Sequence, residues 1–236
     1  MPGEYCASSE TLYVSKKGKA HNRQRKAERR QSDALFDLAL SARLVGDLFG
    51  SESQCLQAAA LMIVTARELG YEVEPRLVSA AGVARHDGQV TGFVSGSVAA
   101  AAAAEIGLPA PEVEENAHFA QDWAGHVVVI LRDPPLLLDP NFRQFSRAGF
   151  PEVSIAMKVN DVVPTAGFWQ ATLDRDCVVR YFPDDRNAAT HLATIHSLAG
   201  RYLALSQALA RMVRSGVEPE DATWVDVLAA SQPALF

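Results

Sequence analysis

Paired cysteines are missing from this chain. Cys6, Cys55 and Cys177 stand far apart with no CxxC spacing. That argues against a disulfide framework or a cysteine-rich zinc site and fits a reducing cytoplasm. Long apolar runs are missing too. The Ala-rich stretch 98–106 is short and broken by Glu105, well under the roughly 18 residues a membrane span needs. The first residues, MPGEYCASSETLY, carry no apolar segment of the secretory kind, so a cytoplasmic chain is expected. No glycine loop for phosphate is present, since Gly92 and Gly96 stand in GFVSG without a following Lys. His191 and His196 are five apart and do not share a helix face, so no metal pair is expected.

What remains is globular material. The 236 residues are 48% hydrophobic and 21% charged, enough to bury a core and far from a disordered composition. The net charge of −6 conceals an asymmetry. Residues 1–31 hold eight basic and three acidic side chains, whereas the remainder carries a balance of −11. The body alone would therefore repel a nucleic-acid backbone. Residues 1–31, almost without apolar periodicity, read as a flexible or loosely helical basic extension, and residues 32–236 as a single α+β domain.

Helical spacing of Leu35, Leu38, Leu44, Val45 and Leu48 predicts an amphipathic helix ending at Gly50, with Ser32 or Asp33 as N-cap. CLQAAALMIVTAREL follows as a helix apolar on most sides, hence buried, with Ser51 and Gln54 at capping-box spacing and Gly70 as its stop. Residues 71–79 alternate like a strand, which Pro75 pushes towards an edge or bulge, and HDGQ marks a turn between two extended pieces. GHVVVIL and LLLD flank RDPP as a β-hairpin. SIAMKV, WQATL and CVVRYF supply further antiparallel strands. Asn187–Val213 reads as one long helix, with Leu192, Ile195, Leu198, Leu203, Leu205 and Leu209 as its apolar face, and a short helix follows near 220–230. Helices packed on an antiparallel sheet are the expected architecture.

The chemistry gathers at element ends. Cys55 opens a buried helix, where the helix dipole and free N–H groups stabilise a thiolate and could stabilise an oxyanion. A nucleophilic thiol needs a base, and the base an orienting group. Folding the hairpin at RDPP brings His126, at the start of one strand, opposite Asp139 or one diagonal step from it. Singly each has a plain structural reading: a small buried hydrophobe, a strand-capping histidine, a turn aspartate before Pro140. In this order, each at the rim of an apolar element, they form a candidate Cys–His–Asp triad. Cys177 reads as a core thiol and Cys6 as inert, while His118, Asp122 and Trp123 precede His126 in a loop that could shape a site entrance.

At these residues the sequence resembles the papain-like superfamily in its transglutaminase-like branch. The pattern is C-LQAAALMIVTARELG-YEVEPRLVS, then GHVVVIL, then LLLDPNF, over roughly residues 50–145. The resemblance implies a papain-like fold and a catalytic triad of Cys55, His126 and Asp139. It implies thiol-dependent acyl transfer on a peptide, amide or other acyl substrate, without a cofactor or metal. Ser53-Gln54 replaces the Trp or Gly often found before the nucleophile, and no Trp follows His126. Gln54 and Trp123 are candidates for oxyanion or substrate contacts. The alternative is a non-catalytic binding protein that keeps the fold. On either reading residues 16–30, basic and without interleaved aromatics, could meet a polyanion or an acidic protein.

Overall fold

In the computed structural model, the described residues are 16–86, 89–96, 98–99, 101–102, 125–186 and 188–216. Two long helices lead: α1 (Lys16–Phe49) and α2 (Cys55–Glu68). Seven strands follow: β1 (Val73–His86), β2 (Gln89–Ser95), β3 (His126–Leu131), β4 (Leu136–Asp139), β5 (Ile155–Lys158), β6 (Trp169–Asp174) and β7 (Cys177–Pro183). A 3₁₀ helix, Phe142–Ala148, separates β4 from β5, and α3 (Ala188–Arg201) and α4 (Leu203–Ser215) follow β7. The helices and the wholly antiparallel sheet make an α+β fold. No helix among the described residues is long and apolar enough to cross a membrane.

The strand order is β5-β4-β3-β1-β7-β6, with β2 also on β1. β1 organises the sheet. Its first half, 73–78, pairs with β3; from Val78 it pairs with β7, and from Ala80 with β2. What reads in the sequence as two extended pieces is thus one strand of 14 residues and its hairpin partner. Pro75 lies in the half with a single strand neighbour, so its missing N–H interrupts no ladder.

Alternation along the strands divides the interior in two. Val127, Val129, Leu131, Leu136 and Leu138 face the helices, where they pack with Leu61, Met62, Leu38, Leu44 and Leu209. Val128, Ile130 and Leu137 face the other way, into an aromatic core of Phe93, Phe142, Phe145, Phe150, Trp169 and Tyr181. Both ends of the strand order, β5 through Ile155 and β6 through Trp169 and Ala171, reach this second core, so the sheet curls into a nearly closed barrel. Every residue of α2 from Ala58 to Ala66 is buried. Each fully buried Leu, Ile or Met side chain there contributes about 1.5–3 kcal/mol.

Three expectations need correction. Ser32 and Asp33 are not N-caps, because α1 runs unbroken from Lys16. The stretch before them, rich in Lys, Arg, Gln and Ala and without Pro, is good helix material. The one long helix at 187–213 is two: Tyr202 is the N-cap of α4. The break re-phases the apolar faces so that both helices pack on α2, and it leaves Leu203, expected inside, 51% exposed. The capping box at Ser51 does not form, since the N-cap of α2 is Gln54, with no side-chain bond to the helix end. The expected helix near 220–230 and most of the Ala-rich stretch 98–106 lie outside the described residues, as do His118, Asp122 and Trp123.

Candidate active site

Cys55 is the first residue of α2. The first helical bond runs from the Ala58 N–H to the Gln54 carbonyl at 2.9 Å, which leaves the earlier N–H groups of the turn without a carbonyl four residues back. The thiol therefore sits at the positive end of a buried helix.

His126 opens β3 and its placement depends on Gly125. That glycine has φ +105°, and a Cβ on it would stand 2.6 Å from the Gly96 nitrogen and the Ser95 carbonyl carbon. Only glycine lets the end of β2 approach so closely, and Ser95 Oγ then donates to the Gly125 carbonyl at 2.8 Å. Asp139 closes β4. The β3–β4 register pairs Val129 with Leu138, which continued by one residue sets Asp139 opposite Val128, one diagonal step from His126. Gly46 of α1 supports this corner: a Cβ there would overlap Ser154 Oγ and lie 2.6 Å from the Pro140 carbonyl oxygen, so α1 seats against the residue after Asp139 only because it carries no side chain.

The three residues meet. His126 and Asp139 are fully buried, and the His126 Nε2–H donates to Asp139 Oδ2 at 2.8 Å. The Cys55 thiol stands near enough to the same imidazole to bias its protonation. Cys55 alone of the three reaches solvent, with 8% of its surface. Burial disfavours a charged ring, but the charge and hydrogen bond of Asp139, joined by Cys55, outweigh it and push His126 up to about 10. The Phe145 ring stands edge-on to the imidazole at 5.3 Å and the Tyr181 ring stacks at 6.4 Å.

Three further residues complete the site, and sequence reasoning missed all of them. The Tyr181 hydroxyl donates to Asp139 Oδ2 at 2.9 Å. Burial, reinforced by Asp139, lifts that phenol far above its ordinary range, so it remains a donor. The Asn141 N–H donates to Asp139 Oδ1 at 3.1 Å. The Gln144 side-chain amide nitrogen lies 2.6 Å from His126 Nδ1. Asn141 and Gln144 follow Asp139 so closely in LLLDPNFRQ that two amides beside a candidate triad were a usable signal. Tyr181 lies 42 residues from Asp139 and left none.

The other sequence candidates fall elsewhere. Gln54 is half-buried at the N-cap beside Cys55. Cys177 is buried in the aromatic core, and burial, then Asp174, pushes its thiol up to about 11, as suits a core cysteine. Among the described residues no group of three His, Cys, Asp or Glu could hold a metal ion. A cavity of about 440 Å³ opens at the far end of the β3–β4 hairpin, between Arg30, Tyr71, Glu72 and Arg132, and does not touch the triad.

No protein-family model matches the chain, and no curated protein or solved structure is significantly similar to it.

Proposed function

We propose that this protein is a thiol-dependent acyl-transfer enzyme, an amide or peptide hydrolase or a related acyltransferase, built on a papain-like, transglutaminase-like fold. The observation that carries the reading is the buried chain Asp139–His126–Cys55, with Cys55 at a helix start and alone in reaching solvent. In the first step the Cys55 thiol gives its proton to His126 Nδ1 and the sulfur bonds to the carbonyl carbon of an amide, ester or thioester. Helix-start N–H groups, with the Gln54 side chain close by, face the developing oxyanion. Collapse of the tetrahedral intermediate breaks the bond to the leaving group, which takes the proton from His126. Water or an amine then attacks the thioester, gives its proton to His126, and releases Cys55 with the proton restored. Asp139 holds the Nε2–H throughout. No cofactor enters this scheme.

One observation favours the alternative, a non-catalytic binding protein: His126 and Asp139 are wholly inaccessible and Cys55 nearly so. Labelling with a peptidyl chloromethyl ketone, paired with melting temperature, separates the two. The enzyme reading expects stoichiometric label on Cys55, and loss of turnover with little loss of stability in Cys55→Ala. No label on the wild type together with a lower melting temperature in Cys55→Ala, from a small core cavity, would end it. The exposed side chains Arg25, Lys26, Arg29 and Arg30 on α1 support a polyanion or acidic protein as a partner on either reading, in a cytoplasmic setting.

A further inference from the structure

His126 Nδ1, the nitrogen that must take the Cys55 proton, is already occupied. Gln144 Nε2 stands 2.6 Å from it. An amide nitrogen only donates, so the contact requires Nδ1 to be an acceptor, with no proton of its own. Amide orientations must be justified from the surrounding network, and here the network has a fixed end. Asn141 Nδ2 lies 3.2 Å from the backbone carbonyl of Glu52 and 3.2 Å from Gln144 Oε1. A carbonyl oxygen only accepts, so Glu52 dictates that Asn141 presents its nitrogen. That nitrogen dictates that Gln144 presents its oxygen to Asn141, and Gln144 must then turn its own nitrogen towards His126. Reversing Asn141 would set its oxygen against the Glu52 carbonyl. The orientation persists although it leaves the buried Asn141 Oδ1 without a partner.

We propose that the Glu52 carbonyl, Asn141 and Gln144 form a positioning relay that holds the resting His126 neutral, with its proton on Nε2 and its Nδ1 lone pair capped, until Gln144 turns away. The inference rests on the acyl-transfer reading for its purpose. The groups facing the imidazole pull in opposite directions. Asp139 and Cys55 draw a second proton onto the ring, and the rise to about 10 is their pull alone, with Gln144 outside it, whereas Tyr181 stays neutral and acts through Asp139. The Gln144 N–H resists, because a protonated Nδ1 would confront it donor to donor. Gln144 and Cys55 thus compete for one nitrogen. Glu52 lies three residues before Cys55, so the relay also ties the base to the turn that presents the nucleophile.

The test is the nitrogen-15 spectrum of His126 in the full chain at neutral pH, without substrate, together with the pH profile of Cys55 alkylation by iodoacetamide. In the wild type Nδ1 should be unprotonated and Nε2 protonated. In Gln144→Glu, whose carboxylate only accepts, both nitrogens should carry protons. Gln144→Met keeps the bulk without the donor, and its alkylation profile should move to lower pH by about one unit, a tenfold gain in rate on the acid side. A wild-type ring with both nitrogens protonated would overturn the relay, and so would identical alkylation profiles for wild type and Gln144→Met. Because the ring is read without substrate, absence of turnover would end the acyl-transfer reading and leave the relay separately measured.

Discussion

Tyr181 gives its hydroxyl hydrogen to the same oxygen of Asp139 that receives the Nε2–H of His126, at 2.9 and 2.8 Å. The carboxylate thus meets the imidazole from one side and a permanently neutral phenol from the other. Tyr181→Phe should leave a fully buried carboxylate one donor short. The expected loss is about 1.5–3 kcal/mol of stability, typical of a hydrogen bond to a charged group, with a smaller loss of acyl transfer. Urea denaturation and turnover measured on the same preparation check it. Unchanged stability would show that the hydroxyl does not support Asp139.

Gly125→Ala should damage the site without touching its chemistry. The positive φ costs about 1–3 kcal/mol for a residue with a side chain, and the new methyl collides with the backbone of Ser95 and Gly96. Relief would shift the start of β3 and so the His126 ring. The expected result is a lower melting temperature together with slower alkylation of Cys55. A variant that melts like the wild type would show that β2 and β3 can separate freely there.

Acid stability should depend on Asp184. It is buried and opposed by that burial, but Arg186 and the Ser79 hydroxyl bind it and hold its pKa below the ordinary carboxylate value. A depressed folded value stabilises the protein above the unfolded pKa of about 3.9, and the contribution disappears as pH falls through the folded value. Denaturation midpoints from pH 7 down to 2 should show Asp184→Asn less stable than wild type at neutral pH, with the two curves converging as pH falls below the unfolded value and through the folded one. Parallel curves would refute the assignment.

The basic arm should be separable from the fold. The described side chains at 25, 26 and 28–30 are exposed, and the Arg29–Asp33 pair at 3.8 Å is an open surface contact worth little. Deleting residues 1–29 should leave the denaturation midpoint unchanged and abolish any binding to a sulfated polysaccharide. The intact chain's affinity should fall steeply with salt. A large drop in stability would show instead that the arm packs on the body.

The grouping of Cys55, His126 and Asp139 was legible in the sequence because each stands at an element boundary, where a polar residue interrupts an apolar run. Of the supporting residues, Asn141 and Gln144 left a signal beside Asp139 and Tyr181 left none. Tyr181 reaches Asp139 only once the sheet has curled, which no local pattern encodes. β1 was hard to see whole because Ser79, Ala80, Ala81, Gly82 and Ala84 have little strand preference of their own. Ala80, Gly82 and Ala84 are small because the aromatic core presses on them: a Cβ at Gly82 would overlap Phe93 and lie 2.8 Å from Phe150. The break at Tyr202 was hidden because Leu203 continues the apolar pattern of α3 without facing the same way.

The hairpin of β3 and β4 is apolar on both faces, VVVIL against LLL, so side-chain hydrophobicity scarcely distinguishes one alignment from the next. His126 and Asp139 make the distinction. A slide of one residue would turn Asp139 over to the helical face, away from its imidazole and phenol, and strand a charge among leucines. Breaking such a buried pair costs about 3–5 kcal/mol. The two residues therefore serve folding in their own right: they are the spelling check that rejects a misaligned hairpin, and the chain pairs its strands correctly and assembles the candidate site in the same event.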